Sequence, residues 1–228
     1  MKIEDITKKE LNPYTNEFVN VQDTKKLYSM FENDKEDISF DKNNTEKYYH
    51  EKNYVKALIG DQWETFKKAK IIDYYLKKYN VKTVLEMGFG AGTTSLFLLL
   101  NNYEVDMIDF EHSGYTLMQN ISKTFDIKTN IYSFNKQTLK DIPKKYDAVL
   151  SMQVLEHIKD PLPIHEDSLK LCDKVLVLEE YCGTEDEAFE HIAPIEAKDF
   201  IINLNVRYGL DYEENPFYIV PSFWLRRK

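Results

Sequence analysis

Thr83-Val84-Leu85-Glu86-Met87-Gly88-Phe89-Gly90-Ala91-Gly92-Thr93-Thr94 is the stretch that decides the fold. The whole chain of 228 residues has seven glycines, and three of them fall in this run. Apolar residues lead into the glycines, and Leu96-Phe97-Leu98-Leu99-Leu100 after them reads as a buried helix. The pattern predicts a strand, a tight glycine turn and a helix. Such a turn lets backbone N–H groups and a helix N-terminus approach a ligand closely.

Working outward, Trp63, Phe66, Ala69, Ile72, Leu76 and Tyr79 recur at three- and four-residue steps. They predict a helix over 61–79, with Asp61 as N-cap and Glu64 three residues on. Strands are predicted at 81–87, 104–109, 130–134, 146–151 and 174–179, and helices near 113–125 and 195–207. Two last strands follow, around 211–219 and 220–226. Strands alternating with helices mean an α/β fold, doubly wound around a mostly parallel sheet of seven strands. Residues 1–60 are polar, aromatic and short of strand signals. They are set apart as an N-terminal segment of loops and short helices, a lid or substrate-binding element, and residues 61–228 as the ligand-binding domain. In such sheets ligands sit at the carboxyl ends of the strands, near the point where strand order reverses. The glycine turn, Asp109, the stretch after Phe134 and the stretch after Leu150 should therefore share one cleft.

The bulk numbers exclude several classes. Net charge is −9. Residues 1–80 carry 15 Lys/Arg and 15 Asp/Glu, so residues 81–228, with 15 and 24, hold all the excess acid. That balance speaks against nucleic acid or an anionic membrane as partner, since either asks for a basic face. No run reaches the roughly 18 apolar residues of a membrane span, and the first residues lack the apolar region of a signal peptide. Two cysteines, Cys172 and Cys182, give neither a disulfide framework nor zinc spacing. The expectation is a cytoplasmic protein that binds no metal, because no compact His/Asp cluster with ligand spacing is present.

A first-strand glycine turn with an acid ending the second strand serves two ligand classes, dinucleotides and S-adenosylmethionine. Both place a carboxylate about 20 residues after the first glycine, against two ribose hydroxyls. Asp109, 21 residues after Gly88, fits either. Three features separate them. The dinucleotide fingerprint wants a third small residue where Thr93 stands. Glu86, under the turn, repels a pyrophosphate but suits the cationic amino group of a methionine moiety. Ser151-Met152-Gln153-Val154-Leu155-Glu156-His157-Ile158-Lys159-Asp160-Pro161 follows the fourth strand.

On these residues the chain resembles the class I S-adenosylmethionine-dependent methyltransferases, and more narrowly a small-molecule group with E-x-G-x-G-x-G and L-E-H motifs. The resemblance spans roughly residues 60–210 and implies a Rossmann-like sheet, S-adenosylmethionine as cofactor and S-adenosylhomocysteine as product. It implies that Glu86, Gly88, Gly90 and Gly92 hold the methionine end and that Asp109 takes both ribose hydroxyls. Phe110 matches an apolar residue packed on the adenine, although a core phenylalanine is an equal reading. Asn135 stands where the family usually has an aspartate for the adenine amino group. This is a departure that keeps an acceptor oxygen but loses the charge. Ser151 and Met152 fall beside the transferred methyl group. Asp147 matches a structural aspartate.

Methyl transfer asks the protein for alignment and, with a hydroxyl acceptor, for removal of a proton. His157 and His191 are the candidate bases, each equally suited to a cap or surface position. His50, His112 and His165 read as surface residues. Gln153, Tyr49, Trp63 and Tyr181 are candidates for the acceptor site. The expected reaction is methylation of a small molecule, with a hydroxyl on a sugar or other cell-surface-glycan precursor ahead of an amine. The alternatives are an N-methyltransferase on a small metabolite and a catalytically silent cofactor-binding partner protein. A homodimer is compatible with the sequence.

Overall fold

The computed structural model describes residues 9–12, 17–20, 62–124, 126–179, 197–214 and 222–226. Its centre is a seven-stranded sheet. In chain order the strands are β3 (Thr83–Met87), β4 (Glu104–Asp109), β5 (Ile131–Ser133), β6 (Tyr146–Met152), β7 (Cys172–Glu179), β8 (Leu210–Glu214) and β9 (Ser222–Arg226). Across the sheet they run β5-β4-β3-β6-β7-β9-β8. The first five are mutually parallel, and β9 is antiparallel to both its neighbours. Strand order reverses between β3 and β6, which places the carboxyl end of β3 at the switch point. The expected seven-stranded, mostly parallel, doubly wound sheet is the one found.

Both faces are covered, which explains the unbroken apolar runs Ala148-Val149-Leu150 in β6 and Val175-Leu176-Val177-Leu178 in β7. Helices α1 (Gln62–Lys78), α2 (Thr93–Leu100) and α3 (Ser113–Thr124) cover one face. There Ala69, Ile72, Leu76, Phe97, Leu98 and Met118 pack on Val84, Val105, Met107, Ala148 and Leu150. Helices α4 (Pro161–Leu171) and α5 (Ala197–Arg207) lie on the other, with Leu169, Ile201 and Leu204 against Leu85, Met87, Ile108, Val149 and Leu176. Alternation along β3 thus sends Val84 and Glu86 to one side and Leu85 and Met87 to the other.

Polar anchors close the amino-terminal edge. Asp147 accepts the Lys82 N–H at 2.7 Å and pairs with Lys174 at 2.9 Å. Its carboxyl is held below the usual range: burial alone would raise it, but the Lys174 ammonium and the Lys82 and Thr83 N–H groups outweigh that. Its expected structural role is what its contacts describe. On β9, the Arg226 guanidinium donates to the carbonyls of Leu169, Cys172 and Tyr208 at 3.0–3.1 Å. It satisfies carbonyls at the C-terminal ends of α4 and α5, where a cation is favoured.

Two expectations need correction. The N-terminal segment is not only loops and helices: β1 (Lys9–Asn12) and β2 (Glu17–Asn20) pair as an antiparallel two-stranded sheet. His112 and His165 are not surface residues but 4% and 0% exposed; His50 lies outside the described residues. His165 packs inside α4 with Nε2 at 2.7 Å from Asn205 Oδ1 of α5. Among the described residues no helix is long and apolar enough to cross a membrane.

Candidate cofactor site

All three turn glycines have positive φ, at 67° for Gly88, 54° for Gly90 and 76° for Gly92. Only glycine adopts that region without strain. Two of them are also close-packed. A Cβ on Gly88 would meet Val154 Cγ2 at 2.3 Å, and one on Gly92 would meet the Met118 sulfur at 2.2 Å. The turn is therefore pressed between α3 and the segment that follows β6.

Glu86, at 3% exposure, lies under this turn. Its Oε2 accepts the Ser95 hydroxyl, and the Ser95 backbone N–H also reaches the carboxylate. Gly92, the N-cap of α2, offers no side-chain cap, so Glu86 supplies the missing acceptor from the neighbouring strand. Burial pushes the Glu86 carboxyl up to about 8. The acid placed at the methionine end is thus also a helix anchor, which its spacing alone does not reveal.

Asp109 ends β4 and is 7% exposed. Its Oδ2 accepts the Gly90 N–H at 2.9 Å, and its Oδ1 accepts the Phe110 N–H at 2.8 Å. His112 Nε2 stands 3.0 Å from the same Oδ2. The carboxylate is held directly against the glycine turn by three donors. Next to it, Phe110 is 47% exposed, and its ring lies 5.3 Å from that of Phe134 at an angle of 41°. An aromatic pair left open at the carboxyl ends of β4 and β5 suits a flat ring. Phe134 escaped the sequence analysis because it looked like the last residue of a strand; it follows β5 and donates its N–H to the Asp109 carbonyl at 2.9 Å.

Asn135 lies within the same cluster, but its Oδ1 accepts the Glu111 N–H at 2.8 Å. That fixes the orientation of the amide. The oxygen expected to receive an adenine amino group already has one donor, which leaves it one lone pair. Ser151 is 0% exposed, between Met87 and Leu178 on the neighbouring strands. As an odd-numbered residue of β6 it shares the face of Val149, turned to α4 and α5. Met152, on the other face, is half-buried against the α1–α3 core.

Gln153 follows with φ of 55°, exposed, its N–H donated to the Glu179 carbonyl at the end of β7. A left-handed non-glycine residue costs energy and often marks a functional turn. His157 is half-buried in a single helical turn, Leu155–His157, whose preceding residue Val154 covers Gly88. A further pair that the sequence did not suggest, Lys68 of α1 and Glu179 of β7, forms an ion pair beside Gln153, with both side chains largely buried. Trp63 lies on α1. Tyr49, Tyr181 and His191 lie outside the described residues.

The donor set fits S-adenosylmethionine: Asp109 and the open Phe110–Phe134 pair answer a ribose and an adenine, and the buried acid of Glu86 underlies the turn at the methionine end.

Comparison with known proteins agrees. A family model described as "Tellurite resistance protein TehB" matches residues 40–166, more than half of the chain. No curated protein matches it. Among solved structures, an O-methyltransferase family protein from Burkholderia thailandensis aligns with a TM-score of 0.63 at 11% identity, over 90% of this chain and 68% of that one. Magnesium protoporphyrin IX methyltransferase from Synechocystis, solved with bound S-adenosylmethionine, aligns with a TM-score of 0.57 at 16% identity, over 84% and 100%. An S-adenosylmethionine-dependent methyltransferase from Clostridium acetobutylicum aligns with a TM-score of 0.55 at 11% identity, over 74% and 96%. At these identities the structures speak to the fold, and the family match to membership. The chain belongs to the TehB family and is an S-adenosylmethionine-dependent methyltransferase.

Proposed function

We propose that this enzyme methylates a small-molecule acceptor, with a hydroxyl of a sugar or other glycan precursor as the first candidate. The observation that carries the reading is the Asp109 carboxylate at the end of β4, tied to the Gly90 N–H at 2.9 Å. It fixes an acid for the ribose against a turn whose glycines let a ligand approach. Gly88, Gly90 and Gly92 open the turn, and Glu86 faces the methionine end from below. Phe110 and Phe134 flank the adenine, and Asn135 borders it. Met152 and Gln153 line the side where the acceptor enters.

Bound there, S-adenosylmethionine supplies an activated methyl group and its own leaving group. The protein's part is alignment and, for a hydroxyl, acceptance of one proton. His157 is assigned that proton because the segment carrying it packs on Gly88 through Val154. His191 is the second candidate. Tyr49, Trp63 and Tyr181 are assigned to the acceptor site, and residues 1–60 to its cover. A hydroxyl comes first because a histidine base near pH 7 is useful to a hydroxyl and less so to an amine. The family description favours a second reading, a tellurium oxyanion as acceptor.

The test is transfer of labelled methyl from S-adenosylmethionine to separate panels of sugars, amines and tellurite. Labelling of the sugar panel that falls at least about tenfold in His157→Ala, a loss within the usual range for a general base, supports the reading. Labelling of amines or tellurite alone overturns the hydroxyl assignment.

A further inference from the structure

We propose that His112 is a positioning residue for cofactor binding: it locks the Asp109 carboxylate toward the ribose and ties it to helix α3. The inference rests on the reading of Asp109 as the ribose acid and adds a residue that neither the motif nor the family match assigns.

The ring is used from both ends. Nδ1 accepts the Gly114 N–H at 2.9 Å and lies 3.4 Å from the Tyr115 N–H. These are orphan donors of the first turn of α3, so His112 acts as a helix cap in a place usually held by Ser, Thr, Asp or Asn. A nitrogen that accepts carries no proton, so the proton of the neutral ring sits on Nε2. From there it donates to Asp109 Oδ2 at 3.0 Å. The cap on one side thus selects the tautomer that serves the acid on the other.

The ring cannot easily turn. It is 4% exposed, and Phe89 of the glycine turn packs beside it at 6.2 Å between ring centres. Gly114 closes the arrangement: a Cβ there would meet the Gly90 carbonyl oxygen at 2.2 Å and His112 Cε1 at 2.7 Å. The Gly90 N–H and His112 Nε2–H share Oδ2, while Oδ1, among the described residues, takes the Phe110 N–H alone. Of the roughly four acceptor sites of a carboxylate this leaves one, on Oδ1, facing a ribose hydroxyl. Without His112 the carboxylate keeps its two backbone donors but loses its tie to helix α3.

Two substitutions separate the two ends of the ring. His112→Asn places an oxygen near the Nδ1 position and keeps the cap, but cannot reach Asp109. His112→Gln places an NH2 near the Nε2 position and keeps the donor, but loses the cap. The full-length protein is titrated calorimetrically with S-adenosylhomocysteine and with its 2′-deoxyadenosyl analogue, alongside Asp109→Ala. The expected result is a loss of about tenfold or more in affinity for S-adenosylhomocysteine in His112→Asn, as for a hydrogen bond to a charged group. The deoxy analogue should lose less than about threefold, and His112→Gln should bind within about threefold of the unsubstituted protein, since the interaction with the ribose acid is spared. Wild-type affinity in His112→Asn overturns the proposal, as does an equal loss for both ligands, which would mark a merely structural residue. Unchanged binding in Asp109→Ala would instead overturn the ribose assignment itself.

Discussion

A methyl group on Gly114 would stand 2.2 Å from the carbonyl oxygen of Gly90, so the N-terminus of α3 touches the cofactor turn through a position that only glycine can fill. Backbone cannot give way as a side-chain tip can. Gly114→Ala should cost about 1–3 kcal/mol, the usual price of overpacking a tight site, and should weaken S-adenosylhomocysteine binding. Gly209 is the control: its φ is 76° with nothing within 4 Å of a Cβ. Gly209→Ala should cost about 1–2 kcal/mol through backbone strain alone, with cofactor affinity unchanged. Urea melts and titration of both variants check this, and equal effects on binding would count against the contact.

Glu86 makes stability depend on pH. Its carboxyl is raised from 4.5 to about 8, chiefly by burial, against the opposing pull of Ser95. The native state therefore keeps a proton that the unfolded chain has released over that interval. Its contribution is full below about 4.5 and is lost as pH rises through about 8, at about 1.4 kcal/mol per unit. Glu86→Gln, which stays neutral, should flatten this part of the profile. Urea midpoints between about pH 5 and about pH 8 decide it; an identical slope in the variant would show that Glu86 is ionised throughout.

The exposed aromatic pair separates binding from folding. Phe110, at 47% exposure, adds little to the core. Phe110→Ala should leave the melting temperature nearly unchanged and weaken S-adenosylhomocysteine about three- to tenfold, the range of one aromatic contact. Phe134→Ala should do the same to binding with a larger loss of stability, since Phe134 packs on the core of the α4–α5 face. Unchanged affinity in both variants would place the adenine elsewhere.

The elements that came out of the sequence are those whose pattern is local. β4 was read at Glu104–Asp109, the span observed, because a buried run there ends in an acid. The glycine turn was legible because glycine is scarce elsewhere. The hairpin strands at Lys9–Asn12 and Glu17–Asn20 were not, because neither has a clean apolar alternation; Asn12-Pro13, a turn signal, was the available hint. Helix α4 was not delimited, although Asp160-Pro161 is a helix start with proline at the first position. His112 looked like one more surface histidine. What betrays it is its place, three residues after the acid of β4 and at the mouth of a helix that needs a cap. The Lys68–Glu179 pair, 111 residues apart, follows from tertiary packing and leaves no mark in either neighbourhood.

Gln153 tests whether strain at the end of β6 serves the acceptor. With φ at 55°, Gln153→Gly should stabilise the fold by up to about 1 kcal/mol, and Gln153→Val should destabilise it by about 1–2 kcal/mol. If its amide reaches the acceptor, Gln153→Gly also raises the acceptor KM while leaving cofactor affinity alone. A rise in cofactor Kd with no change in KM would put Gln153 on the wrong side of the cleft.

The central claim is that the cofactor sits on the glycine turn with its ribose on Asp109. The direct measurement is a calorimetric titration of the full chain with S-adenosylhomocysteine, repeated for Asp109→Ala. The expected result is one site per chain, with affinity falling by about tenfold or more in the variant, the loss of a charged hydrogen-bonding partner. Absence of binding in the unsubstituted protein, or affinity within twofold in Asp109→Ala, would contradict it.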